Sequence, residues 1–165
     1  MNMNINTCTL TSFLFLLASV CAANFSMWPE TISAGTLFGV SLLNHAKLMG
    51  PEYAHNIHLI DKTLSHTIGA IYLYASLMSF ICTQHIAFFI SFSSGVITIV
   101  IYFSRSFKRN CLSHSFVHIG TFAGWMFYIA GVQLTRSPAH MTHYNDLSCF
   151  AITYLEIRIK PVEHW

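Results

Sequence analysis

The sequence predicts an all-α fold, a polytopic transmembrane bundle of about five helices. Two bulk observations and one pattern carry that expectation. Of the 165 residues, 54% are hydrophobic and only 8% are charged, and the mean hydropathy is +0.54. A soluble domain has about a quarter of its residues charged. The pattern is five apolar stretches of roughly the length that crosses a bilayer, over residues 12–28, 31–49, 65–82, 86–103 and 112–134.

The first stretch ends in small residues around Cys21, Ala22 and Ala23, as a secretory signal does. Residues 1–11 carry no Lys or Arg, and a signal peptide has a basic n-region. A retained membrane helix or signal anchor over residues 1–30 is therefore expected. Pro29 separates the first two stretches, and Gly50-Pro51 closes the second. A tight polar turn around Thr83, Gln84 and His85 joins the third to the fourth. The run Arg105-Ser106-Phe107-Lys108-Arg109-Asn110 separates the fourth from the fifth. Residues 31–134 read as a four-helix membrane core, and residues 135–165 as a polar C-terminal tail. In the tail, the alternation Ile157-Arg158-Ile159-Lys160 is a weak strand signal.

Five alternating helices put Lys47, Lys62, Arg105, Lys108 and Arg109 on one side. The positive-inside rule then predicts a cytoplasmic N-terminus. A formal charge of +2, with no basic stripe and no zinc-finger spacing, argues against nucleic acid as a partner. The five cysteines are scattered and form no C-x-x-C, so buried free thiols are expected.

Two sparse pairs lie in or beside the apolar runs, Ser41-x-x-x-His45 and His114-x-x-x-His118, with Asp61 between them. Ionisable residues are costly in lipid and point to function. The i, i+4 spacing puts each pair on one helix face. Ser41 and His45 lie near the end of the second helix, Asp61 precedes the apolar part of the third, and His114 and His118 open the fifth. Alternation brings all three places to one membrane face.

Three neutral imidazoles with an open fourth position make a catalytic zinc site. His45, His114 and His118 are the expected ligands. Bound water then ionises near neutral pH, and the metal polarises a carbonyl. Asp61 is the expected general base. Ser41 is expected to hydrogen-bond a substrate carbonyl or to orient a ligand. Such groups suit hydrolysis of an amide or ester bond in a membrane lipid.

Ten histidines give about one H-x-x-x-H by chance, so neither pair means much by itself. The same residues would also serve polar helix packing in a non-catalytic membrane scaffold. A third reading is a haem-binding membrane electron carrier, with His45 facing His114 or His118 as axial ligands. His55, His58, Asp61 and His66 form a second histidine-rich segment, expected to be interfacial and solvated. Gly35-x-x-x-Gly39 and Gly120-x-x-x-Gly124 are expected packing seams. Asn24-Phe25-Ser26 matches the glycosylation sequon but abuts a span.

The order S-x-x-x-H, Asp, H-x-x-x-H resembles the CREST superfamily of membrane hydrolases. That group includes the alkaline ceramidases, the progestin/adiponectin-type receptors with their bacterial hemolysin-like relatives, and GPI-anchor lipid remodelling proteins. The segments Ser41-Leu42-Leu43-Asn44-His45 and His114-Ser115-Phe116-Val117-His118, the latter running on to Gly124-Trp125, carry the similarity. The resemblance spans roughly residues 31–134. It implies zinc held by His45, His114 and His118, with Asp61 and Ser41 as catalytic partners. The family fold has seven helices, three of them between the Asp helix and the last. Here one clear helix, residues 86–103, lies between them. Loss of a helix pair preserves sidedness.

Overall fold

The computed structural model describes residues 6–104 and 111–135, without the side chains of residues 111–113. Arg105 to Asn110 and the tail from Arg136, with its Ile157–Lys160 alternation, lie outside the described residues. Five helices and no strand are found among the described residues. They are α1 (Thr7–Asn24), α2 (Trp28–His45), α3 (Pro51–Thr83), α4 (Ile86–Phe103) and α5 (Cys111–Thr135).

Local chemistry sets the helix ends. Asn6 caps α1, its side chain accepting from the Thr9 N–H at 2.9 Å. This cap starts α1 five residues ahead of the apolar run expected from Ser12. Ser26, in the left-handed region at φ 57°, helps turn the chain into α2, and Pro29 sits in the first turn of α2. Gln84, at φ 53°, ends α3 with its N–H on the Phe80 carbonyl at 2.7 Å. The His85 ring then caps α4, accepting from the Ala87 N–H.

α3 has 33 residues and begins at Pro51, well before the apolar run at Ser65. Its length of about 50 Å exceeds the ~30 Å hydrocarbon core. No glycine or proline interrupts residues 52–68, so the helix runs through the polar segment without a break. Asp61 and the histidine-rich segment are thus helical. His55, His58 and His66 are exposed, as expected of an interfacial stretch.

The helices close a ring. α1 packs on α2, α2 on α3, α3 on α4, α4 on α5, and α5 returns to α1, while α3 stands off α5. α1 is therefore an integral wall of the bundle. Its Phe15 packs with Ala18, Ala34, Leu37 and Trp125, and a second cluster joins Ala22, Met27, Phe88, Tyr128, Ile129 and Val132. Outward faces are apolar, with Leu17, Val20, Ile71, Ile97, Val100 and Phe103 exposed.

α1, α3, α4 and α5 from His114 onward are long and apolar enough to cross a membrane. α2 falls short of that measure because it carries Glu30, Asn44 and His45. The protein is an integral membrane protein built as an all-α bundle.

The α5 glycine pair is a seam against α4. Ser94 donates to the Gly120 carbonyl and Ser91 to the Gly124 carbonyl, both at 2.8 Å. Hydroxyls reach a neighbouring backbone this closely only where side chains are small. One turn pair further on, a Cβ at Gly131 would lie 2.8 Å from the ring of buried Phe88. Gly131→Val is expected to lower stability by about 1–3 kcal/mol through overpacking, read as a lower thermal midpoint in detergent.

Cysteine usage departs from expectation. Cys8, near the start of α1, and Cys82, near the opposite end of the bundle, are each in a disulfide but not with one another, and Cys21 is a free thiol. Spacing along a chain does not reveal which distant cysteines a bundle brings together.

Candidate metal centre

The odd-numbered helices start at one end of the ring and α2 finishes there. At that end the side-chain amide of Asn6 donates to the His45 carbonyl at 3.4 Å, tying the two chain segments together. His45, in the last turn of α2, meets His114 and His118, one turn apart at the start of α5. Ring centroids are 4.7 Å apart for His45–His114, 5.3 Å for His45–His118 and 4.7 Å for His114–His118. One ligand nitrogen from each ring lies within 4.8 Å of the other two. No second metal-capable cluster forms among the described residues.

A tetrahedral zinc ion with bonds of ~2.0 Å wants nitrogens about 3.3 Å apart. The 4.8 Å limit of this cluster is wider than that spacing, so holding an ion requires the rings to draw closer. Two further observations fit a cation. The Nε2 of His45 is buried and has no hydrogen-bond partner, which is costly unless something binds it. His118 Nδ1 also has a partner outside the cluster, the Thr11 hydroxyl. Thr11 Oγ1 lies 3.0 and 3.2 Å from the Thr7 and Cys8 carbonyls and 3.0 Å from His118 Nδ1. When its single hydrogen goes to a carbonyl, its oxygen accepts from Nδ1–H. Nε2 of His118 then keeps its lone pair for a metal. Thr11→Val is expected to weaken metal affinity about 10- to 100-fold, measured by competition with a chelator.

Asp61 is brought to the site. Its Oδ2 lies 3.9 Å from His45 Nε2 and accepts from the Asn44 side-chain amide at 2.7 Å. The carboxylate is buried, at 6% exposure, and faces the cluster from α3. Ser41 is placed differently. Its hydroxyl is buried against Ser12 of α1, with the two oxygens 3.0 Å apart, and it does not line the cavity beside the histidines. It supports the α1–α2 contact one turn below His45.

Thr11, Ser12 and Asn44 had no signal in the sequence. Each is a common polar residue whose role depends on which helix it faces.

From the cluster a cavity of about 560 Å³ runs inward between α3, α4 and α5. His58, Asp61, Lys62, His114 and His118 line its head. Below them the lining is mostly apolar, including Phe15, Ile68, Leu73, Ile99 and Trp125. Ser76 and Ser91 close its far end, their hydroxyl oxygens 2.8 Å apart. The cavity follows from α3 standing off α5, and exposed Gly69, Ala70, Ile99 and Phe103 mark its lateral opening.

No family model matches the chain, and neither a curated protein nor a solved structure matches it.

Proposed function

We propose that this protein is a zinc-dependent membrane hydrolase that cleaves an amide or ester bond of a lipid, similar in its site to the CREST hydrolases. The observation that carries the reading is the cluster of His45, His114 and His118 beside Asp61 at the head of a lipid-accessible apolar cavity. A charged or polar headgroup stays near the interface in such an arrangement, while the chain lies among apolar side chains.

His45, His114 and His118 would hold the ion, and Thr11 keeps His118 in the coordinating tautomer. Bound there, zinc supplies Lewis acidity to the carbonyl and to water. Asp61, held by Asn44, takes a proton from the attacking water as its oxygen joins the carbonyl carbon. The C–N or C–O bond then breaks, and the proton passes to the leaving amine or alcohol. The products are a carboxylic acid and the freed headgroup. With Lys47 and Lys62 on the cytoplasmic side, the centre would serve the cytoplasmic leaflet.

The histidine geometry favours a small ion over haem. Axial imidazoles flank a macrocycle from opposite faces, whereas the His45 and His114 rings meet edge to face at 4.7 Å and leave no slot between them. Purified protein in detergent is expected to contain about one zinc per chain and to release fatty acid from ceramide or an acyl ester. Chelation should stop that release. A Soret band, or protein without metal after zinc is supplied, would overturn the proposal.

A further inference from the structure

The cavity has a length as well as a volume, and one residue controls whether that length is usable. On α3 its lining starts at His58, and from Asp61 at the candidate site to Ser76 it runs fifteen residues along the helix. At 1.5 Å per residue this is about 22 Å, longer than the ~15 Å one leaflet of chains occupies in a bilayer core. α4 and α5 line the same path, from Tyr102 down to Ser91 and from His114 down to Trp125.

The far end is chemically closed. Ser76 and Ser91 share a hydrogen bond, and Ser91 also donates to the Gly124 carbonyl at 2.8 Å. These hydroxyls already have partners inside the protein, so nothing there asks for a polar group from a ligand. A methyl end can stop against them without stranding a polar atom.

Gly69 lies eight residues past Asp61 on the same helix, about 12 Å along the path. It lines the cavity, and a Cβ built on it meets no atom within 4 Å. Gly69 is exposed at the lateral opening, and the space beside it is open rather than filled by a packed neighbour. Gly95 also lines the path but is different: a Cβ there would lie 2.8 Å from Leu73 Cδ1, so packing explains it. No such contact explains Gly69.

We infer that the cavity takes a single long, extended acyl chain, and that Gly69 is the residue that lets the chain pass to the Ser76–Ser91 floor. The inference deepens the proposed lipid hydrolysis and rests on the same site. A bulky side chain at 69 that turns in from the opening narrows the path about halfway along, so medium-length chains still fit and long ones do not. The residue acts on specificity by shape and touches neither the histidines nor Asp61.

Trp125 lines the cavity and reports occupancy without catalysis. In full-length protein with Trp28 and Trp165 replaced by Phe, palmitic acid brominated at mid-chain should quench Trp125, and plain palmitic acid should reverse the quenching. Gly69→Leu should weaken palmitic acid binding by about tenfold or more, while octanoic acid binding changes by less than about twofold. Gly69→Ala should stay near the parent. Zinc content and gel-filtration profile check that Gly69→Leu is folded. The same variants are assayed on octanoyl and palmitoyl amides, where Gly69→Leu should shift the activity ratio toward octanoyl by a similar factor.

Equal losses for both chain lengths, or no quenching by the brominated acid, would overturn the inference. Chain-length-dependent binding without hydrolysis by the parent protein would support the inference and overturn the hydrolase reading. Hydrolysis with an unchanged chain-length ratio in Gly69→Leu would do the reverse.

Discussion

In His118→Ala, bound zinc is expected to fall from about one ion per chain to background, and the proposed lipid hydrolysis to fall with it. The reason is the ligand count. An open catalytic site needs three protein ligands, and the described residues offer only His45, His114 and His118 at ligand distance. Two imidazoles on a membrane protein do not hold zinc against a chelator. His118 also packs on Phe15, with rings 5.1 Å apart, so its truncation opens a cavity and lowers stability. His45→Ala is the companion variant, since its side chain sits at the edge of the core at 15% exposure. Both variants should lose zinc by mass spectrometry of the metal. His55→Ala, on the exposed start of α3, should keep it. Retention of zinc in His118→Ala and His45→Ala would remove the cluster from consideration.

Asp61→Asn separates binding from chemistry. Asp61 sits 3.9 Å from His45 Nε2 and is anchored by Asn44, outside the three-imidazole set. An amide is nearly the same size but cannot take a proton from water. Zinc content is therefore expected to stay near one per chain, while the rate of fatty acid release drops by about 10²- to 10⁴-fold, the range ascribed to general acid–base catalysis. A variant that loses zinc as readily as His118→Ala would make Asp61 a ligand. One that retains full activity would leave the carboxylate a structural role beside Asn44.

The histidine pair of α5 and Asp61 were legible for different reasons. His114 and His118 announce themselves through i, i+4 spacing in an apolar run. Asp61 stands out because a carboxylate so near a span is rare. Ser41 has equally clear spacing from His45, yet its hydroxyl turns to Ser12. Spacing places two side chains on one broad face. Where that face points depends on the neighbouring helix. The start of α3 is not legible in hydropathy for a related reason: hydropathy detects the apolar part of a helix, whereas α3 continues through fourteen polar and interfacial residues ahead of Ser65.

About five helices, and the meeting of His45, Asp61, His114 and His118 at one end, were already expected from sequence alone. Apolar length and its interruptions are local properties, and alternation follows from crossing a bilayer. The tertiary structure decided which helices touch and how each is rotated about its axis. It made α1 a wall of the ring and gave Thr11 to His118. It also held α3 away from α5, so that a long cavity opens below the histidines. Those outcomes depend on side-chain packing between helices far apart in the chain, where small residues such as Gly69, Gly120 and Gly124 count by what faces them. No periodicity within one helix carries that information.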